Sequence, residues 1–390
     1  MENVDISLSD KYRNALVVVG YNRIKSIQRL LGSLLNAHYY TEVPLVLCID
    51  ASGIQKLYDY IKAFEWPYGS KYVFIQEKRL GLKEHIFFCC GLSRYFKSVT
   101  ILEDDLYVSP FFYQYVEQSV EKYGDNPHVA GISLYKNETN GFKGIPQTYL
   151  NNGYDVMAIQ STSTWGETFT LQMWENFRIW LEKWNQDFKS INIPQTIKSW
   201  DRAWSKYYEA YIVAKNKYFI YPTLSVSTNF SDAGEHAGKT NIDTNWQVEL
   251  LYGNRIWKMA QINELVKYDT YLNIKNTVLG LPYKNIGIDL NGLREDIFMY
   301  DYLVSIRQLP YTIVHHYGIQ LRPIELNVLL KIEGEGIYVY DMHKPSPNNH
   351  YNATVDSIFS EYYMRNMNIK LIINRFKRLI SNKIRRYVGK

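Results

Sequence analysis

The feature that most constrains this chain is the alternation in its first 135 residues. Short, continuous apolar runs are separated by stretches whose apolar residues recur three and four positions apart. The runs at 15–20, 43–49, 72–76, 98–102 and 129–134 are strand-sized, and the first, ALVVVG, has no polar residue. Strands that lack polar alternation are buried on both faces, which is the habit of parallel sheets. Between them, Ile24, Ile27, Leu30, Leu31, Leu34 and Leu35 mark one amphipathic helix. Further helices are expected at 54–64, 82–96 and 110–123, the last opened by Pro110. Strand and helix in turn predict an α/β protein built on an open, Rossmann-like sheet. Ligands of such sheets sit beyond the carboxyl ends of the strands, where Asp50 and the triplet Glu103, Asp104 and Asp105 fall.

The triplet is the sharpest local signal. Three adjacent carboxylates at a strand end repel one another unless a cation joins them. Hard oxygen ligands select Mg²⁺ or Mn²⁺, and such ions complete their shell with substrate phosphates. A nucleotide-sugar transferase uses an ion in this way, neutralising the diphosphate as it leaves. The bland alternative is a solvated acidic turn ahead of Pro110. The apolar run before the acids and the proline-started helix after them favour a site.

The run LEDDLYVSPFFYQY at 102–115 resembles the acidic segment of the N-acetylglucosaminyltransferase I family, family 13 of the glycosyltransferases, which reads close to VEDDLEVAPDFFEYF. The resemblance spans roughly residues 14–245. It implies a GT-A-type fold and a metal-dependent, inverting enzyme that uses UDP-GlcNAc. On the matching positions, it implies that Asp105 binds the metal, Mn²⁺ or Mg²⁺. Glu103 and Asp104 would contact the donor sugar and ribose. Arg23, in Tyr21-Asn22-Arg23, would reach the donor, Asp50 would read the uracil ring, and His85 would face the nucleotide. His236, in a DAGEHAG loop, would lie near the diphosphate and metal. The family's general base is the second acid of a WDDW motif. Here the stretch reads SWDRAW, so Asp201 is the candidate base and Arg202 stands where the second acid would be. Glu167 is a reserve candidate.

Each of these positions has a plainer reading as well. Arg23 could be a solvated residue at a helix start, Asp50 a turn cap, His85 a satisfied buried histidine and Asp201 an N-cap for a helix at 202–214. Six tryptophans fall between 165 and 204. Most suit a core, whereas Trp165 and Trp200 are candidates for stacking against a sugar.

Charge separates the chain into parts. The net charge is +5 over 390 residues. Residues 361–390 hold nine Lys and Arg against one acid, Glu361, a net of +8, so the other 360 residues carry −3. In that tail Ile369, Ile372, Ile373, Phe376, Leu379, Ile380 and Ile384 make one apolar face, with Lys370, Arg375, Lys377, Arg378, Arg385 and Arg386 around the rest. That is the pattern of a basic amphipathic helix for an anionic membrane surface. A basic stripe on the body, expected of a nucleic-acid binder, is missing. Three cysteines, two of them adjacent, suit neither a disulfide framework nor a zinc site. The start of the chain does not read as a secretory signal.

The predicted organisation is a catalytic domain over 1–265, a smaller C-terminal subdomain over 266–355 on the acceptor side, and a membrane-associating helix over 356–390. The predicted function is transfer of a sugar, GlcNAc foremost, from a UDP-sugar to a hydroxyl of a glycan acceptor, lipid-linked where a bacterial surface polysaccharide is assembled. The expected location is cytoplasmic, peripheral at the inner face of the plasma membrane. The alternatives are a catalytically silent glycan-binding scaffold, kept open by Arg202, and a sugar nucleotidyltransferase. The second lacks a glycine-rich phosphate loop after the first strand.

Overall fold

A computed structural model describes residues 6–142, 144–201, 203–232, 246–347, 362–363 and 368–388. The first half of the chain follows the predicted alternation: β1 (Asn14–Gly20), α1 (Ile24–Leu35), β2 (Leu45–Ile49), α2 (Gln55–Ala63), β3 (Lys71–Ile75), α3 (Leu82–Gly91), β4 (Ser98–Glu103), β5 (Leu106–Val108), α4 (Phe112–Tyr123) and β6 (Val129–Ser133). All of β1, β2 and β6 is buried, as continuous apolar runs require. Helix α1 turns Ile27, Leu30, Leu31 and Leu34 into the core. It lies so close to β1 that a Cβ on Gly20 would meet Ile27 Cδ1 at 2.6 Å.

Two minimal strands, β7 (Thr139–Asn140) and β8 (Ile145–Pro146), form a hairpin of their own. The main sheet resumes with β9 (Val156–Ile159) and β10 (Glu167–Thr170). Helix α5 (Leu171–Lys183) follows at once, its first turn capped by the Thr170 hydroxyl, which accepts from the Met173 amide. Next come α6 (Gln195–Lys198), α7 (Ser205–Ala214), β11 (Tyr218–Pro222), β12 (Ser227–Asn229) and β13 (Lys267–Tyr268).

The nine strands of the main sheet are ordered β13-β9-β11-β6-β10-β4-β1-β2-β3. Strands β1, β2, β3 and β4 are parallel. Strand β10 is inserted antiparallel between β4 and β6. The class predicted from the alternation, an open α/β sheet with a parallel, Rossmann-like half, is the one observed.

A second sheet follows. After α8 (Asn276–Leu279), the strands β14 (Ile286–Asp289), β15 (Tyr302–Ser305), β16 (Tyr311–Tyr317) and, past α9 (Glu325–Leu329), β17 (Ile337–Pro345) pair in the order β14-β15-β17-β16. From its apolar pattern the sequence suggests a short strand at 336–340, which is present, and a helix around 295–306, which the structure corrects. A single 3₁₀ turn, Ile297–Met299, is followed by β15, which pairs with β14 on one side and β17 on the other. The partners lie far away in sequence, so local periodicity could not announce them. The second sheet packs on the first through Ile288, Leu290, Val304 and Val339, which belong to the common core. The tail forms α10 (Ile369–Val388). Its Ile369, Leu371 and Phe376 are each about two-thirds exposed. Among the described residues no helix is long and apolar enough to cross a membrane.

Candidate active site

A cavity of about 560 Å³ opens at the carboxyl ends of β1, β2 and β4. Four sequence-predicted segments meet there. Tyr21, Asn22 and Arg23 come from the turn after β1, and Asp50 from the end of β2. His85 comes from the first turns of α3, and Glu103, Asp104 and Asp105 from the end of β4. Parallel pairing makes this convergence unavoidable, since Val19 is opposite Glu103 and Gly20 is opposite Ile49.

The acids are held by one guanidinium. Arg23 Nε donates to Asp104 Oδ2 at 3.2 Å, a second guanidinium nitrogen reaches Asp104 Oδ1, and Nη1 donates to Asp105 Oδ2 at 3.3 Å and to the Asp232 carbonyl at 3.2 Å. Burial works to lower the Arg23 pKa, but Asp104, with Asp105 and Glu103, raises it on balance. Asp105 also accepts from Asn229 Nδ2 at 3.3 Å. This compensation is incomplete. Burial foremost, then repulsion from Asp105 and Asp104, pushes Glu103 up to about 8. Burial pushes Asp104 up to about 6 against the pull of Arg23. Asp232, next to this group, is tied to α1 through Arg29 and the Ser26 hydroxyl.

This chemistry fits a hard divalent cation, which would relieve buried carboxylates that resist ionisation. Asp105, with Asp104 beside it, would hold the ion. No group of three His, Cys, Asp or Glu among the described residues is placed to ligate a metal alone. One or two carboxylates completed by donor phosphates is the usual arrangement for Mg²⁺-type ions.

The side of the cavity formed by the end of β2 and the start of α3 is built differently. Both Asp50 oxygens accept backbone hydrogen bonds, from Ala51 at 2.9 Å, Leu80 at 2.8 Å and Gly81 at 3.0 Å. Asp50 therefore fixes the 79–81 turn at the cavity wall. That turn needs Gly81 at φ +79°. It also carries Arg79, whose guanidinium stacks on the Tyr21 ring at 4.7 Å. His85 is 2% exposed, and its Nε2 lies 3.2 Å from the Cys48 carbonyl. A carbonyl only accepts, so Nε2 carries the proton. Nδ1 is then a bare acceptor, buried with no partner among the described residues. Burial foremost lowers the His85 pKa, so the ring is neutral at pH 7.

On the opposite wall stand Trp165, which packs on Tyr135 and Trp246, and Trp204, which is 2% exposed. Trp200 and Asp201 do not line the cavity; Trp200 is 38% exposed and Asp201 is exposed. Helix α7 begins only at Ser205 and has Trp204 at its N-cap, so Asp201 does not cap it. Glu167 lies in β10 behind the cavity, buried, with Oε2 unpartnered among the described residues. Burial foremost, then Glu103, raises its pKa strongly. His236 and Arg202 lie outside the described residues. Sequence reading missed Arg79, Asn229 and Asp232, and it chose Trp200 over Trp204 within SWDRAW. Asp232 had a signal, as the first residue of the glycine-bearing DAGEHAG loop, and so had Trp204, as the second tryptophan of its motif.

No protein-family model and no curated protein matches this chain. Among solved structures it is similar to S. aureus TarS in complex with UDP-GlcNAc, at 18% identity and a TM-score of 0.37 over 58% of this chain and 60% of that one. It is also similar to the mannosyltransferase PcManGT from Pyrobaculum calidifontis in complex with GDP-Man and Mn²⁺, at 13% identity and 0.33 over 57% and 60%. A third is GalNAc-T7 with UDP, GalNAc and Mn²⁺, at 13% and 0.35 over 57% and 43%. The match thus spans less than two-thirds of each of these proteins.

Proposed function

We propose that this protein is a metal-dependent glycosyltransferase that moves a sugar from a nucleotide donor, UDP-GlcNAc foremost, to a glycan hydroxyl with inversion. One observation carries the reading. A single cavity at the carboxyl ends of the parallel strands gathers the acidic triplet, one arginine, and a nucleotide wall made by Tyr21, Arg79 and His85.

In this reading a bound Mn²⁺ or Mg²⁺ would neutralise charge on the departing diphosphate. The chain's own residues do the rest. Arg23, already paired with Asp104 and Asp105, supplies a fixed positive charge beside them. The bare Nδ1 of His85 accepts a hydrogen bond from the nucleotide. Trp165 offers aromatic surface to the apolar face of a sugar. Inversion also needs a base at the acceptor hydroxyl. Asp201, two residues before the cavity-lining Ala203, is the candidate. Turnover by Asp201→Asn equal to that of the parent would remove it from that role.

Helix α10 suits attachment to an anionic membrane surface, because its apolar side chains are solvent-exposed and six of its residues named above are cationic. Such attachment at the inner face would bring the enzyme to lipid-linked acceptors. Binding to anionic liposomes should disappear when 361–390 is deleted, and unchanged binding would refute the attachment. The enzymatic reading is tested by UDP release from UDP-GlcNAc with Mn²⁺, with and without EDTA. No metal-dependent release from any UDP-sugar, with acceptor supplied, would leave the silent scaffold as the better account.

A further inference from the structure

A second cleft, of about 950 Å³, is at the other end of the main sheet, where β1, β2 and β4 begin. Seven-residue β1 separates the two ends, so the cleft lies roughly 20 Å from the acidic triplet at about 3.3 Å per residue. It is too far away to be part of the donor cavity and is at the end of the sheet where nucleotides do not bind.

Its lining selects a ligand class. Three cations, Arg13, Lys97 and Lys122, face three acids, Glu42, Glu117 and Glu121. Two pairs are closed on each other: Arg13 with Glu42 at 2.5 Å, and Lys97 with Glu121 at 3.0 Å. Such a rim offers donors and acceptors in number with no field of either sign, which disfavours a phosphate or a nucleotide.

The aromatic groups add to this. Tyr12 stands at the rim and is 81% exposed, an unburied ring beside a polar cleft. Trp257 is 5% exposed, and its Nε1–H is buried with no acceptor among the described residues. An indole N–H so placed ordinarily has a partner. Gln118 Oε1 accepts from the Trp257 amide at 3.3 Å, which leaves the Gln118 side-chain NH₂ as a donor in the same cleft.

A ligand that donates and accepts along its length, carries no net charge and has apolar faces for a ring is a neutral oligosaccharide. We infer that this cleft is a second carbohydrate-binding site, which holds a neutral glycan chain away from the donor cavity. The inference stands apart from the transferase reading, since a silent glycan-binding protein would bind there equally.

The test uses the full-length protein and saturation-transfer NMR. The probes are neutral oligosaccharides built on glucose, galactose, mannose and N-acetylglucosamine, with sulfated and sialylated oligosaccharides as the anionic arm. At least one neutral series should bind. Tyr12→Ala should weaken that binding about tenfold, as loss of a stacking ring does, and Trp257→Phe severalfold. UDP binding should be unchanged in both variants. Tyr12 is exposed and its variant retains the fold, so the test survives even if Trp257→Phe unfolds. Three results would each overturn the inference: no neutral series binds, Tyr12→Ala binds as the parent does, or the anionic arm binds more tightly.

Discussion

Two clusters of buried acid and arginine occur in this molecule, and they are built to different ends. In the second sheet Arg294 bonds Asp269 and Asp296, donates to the Ile288 carbonyl at 2.9 Å and the Tyr300 hydroxyl at 2.6 Å, and its own carbonyl accepts from Arg307 at 2.8 Å. Arg307 donates to Asp289 at 2.7 Å, and Asp289 takes two further bonds, from the Arg294 amide and the Ser305 hydroxyl. Two guanidinium groups thus serve three carboxylates, although burial still pushes the Asp289 pKa up. At the end of β4, among the described residues, one guanidinium, that of Arg23, bonds Asp104 and Asp105, and Glu103 is pushed up to about 8 beside them. The first cluster is closed and holds two segments together. The second faces a cavity and is short of positive charge. Residue type and burial are alike in the two; they differ in the ratio of guanidinium groups to carboxylates and in the cavity that opens on the second.

This contrast can be broken by mutation. Arg294→Met should cost the most stability, about 3–5 kcal/mol in urea denaturation, because it strands buried carboxylates. A loss under 1 kcal/mol would mean that the closed cluster is not structural. Asp105→Asn should leave denaturation near that of the parent while lowering metal-dependent UDP release by roughly two to three orders of magnitude. Equal turnover would remove Asp105 from the site.

A third buried acid sharpens the comparison. Glu209 has no arginine; it accepts from the Thr162 amide at 2.7 Å and the Thr270 hydroxyl at 2.8 Å, and burial pushes it up to about 7. Its folded pKa is above the unfolded one, so its contribution to stability is full below the ordinary glutamate range. That contribution is lost as pH rises through about 7. Glu209→Gln should flatten this dependence, by roughly 2–3 kcal/mol between pH 4.5 and pH 8. An unaltered pH profile would show the group to be ionised at little cost. The smallest effect is expected at Gly81. Alanine at φ +79° should cost about 1–2 kcal/mol and loosen UDP binding by disturbing the turn that Asp50 holds. UDP binding equal to the parent's would separate that turn from the nucleotide.

The part of this molecule that could be read from sequence is the part whose partners are local or enforced by burial. Strands β1, β2 and β4 announce themselves because both faces are buried, and the ends of parallel strands must collect Asp50 and the triplet at one place. The position of His85 follows from the next helix start. Nothing local announces Arg79, which reaches the cavity only because Asp50 folds the 79–81 turn inward. The choice between Trp200 and Trp204 depended on where α7 begins, and a helix start without a side-chain cap leaves no mark in sequence. The 286–345 sheet was thinly read for a related reason: its strands are four to nine residues long and are selected by each other.

The reversed strand β10 has a consequence of its own. In a sheet of parallel strands, only segments leaving a strand can reach the ligand end. Because β10 runs the other way, the segment entering it, 161–165, arrives at that end and delivers Trp165 to the wall facing the acids. The opposite end of β10 is pinned by Thr170, which caps α5 and donates to the Gly124 carbonyl at 3.1 Å. The segment is itself held by the rest of the fold: the Thr162 amide donates to Glu209 at 2.7 Å, and the Ser227 hydroxyl donates to the Trp165 carbonyl at 2.6 Å. The ring of Trp165 is thus set from a direction that the parallel strands cannot supply.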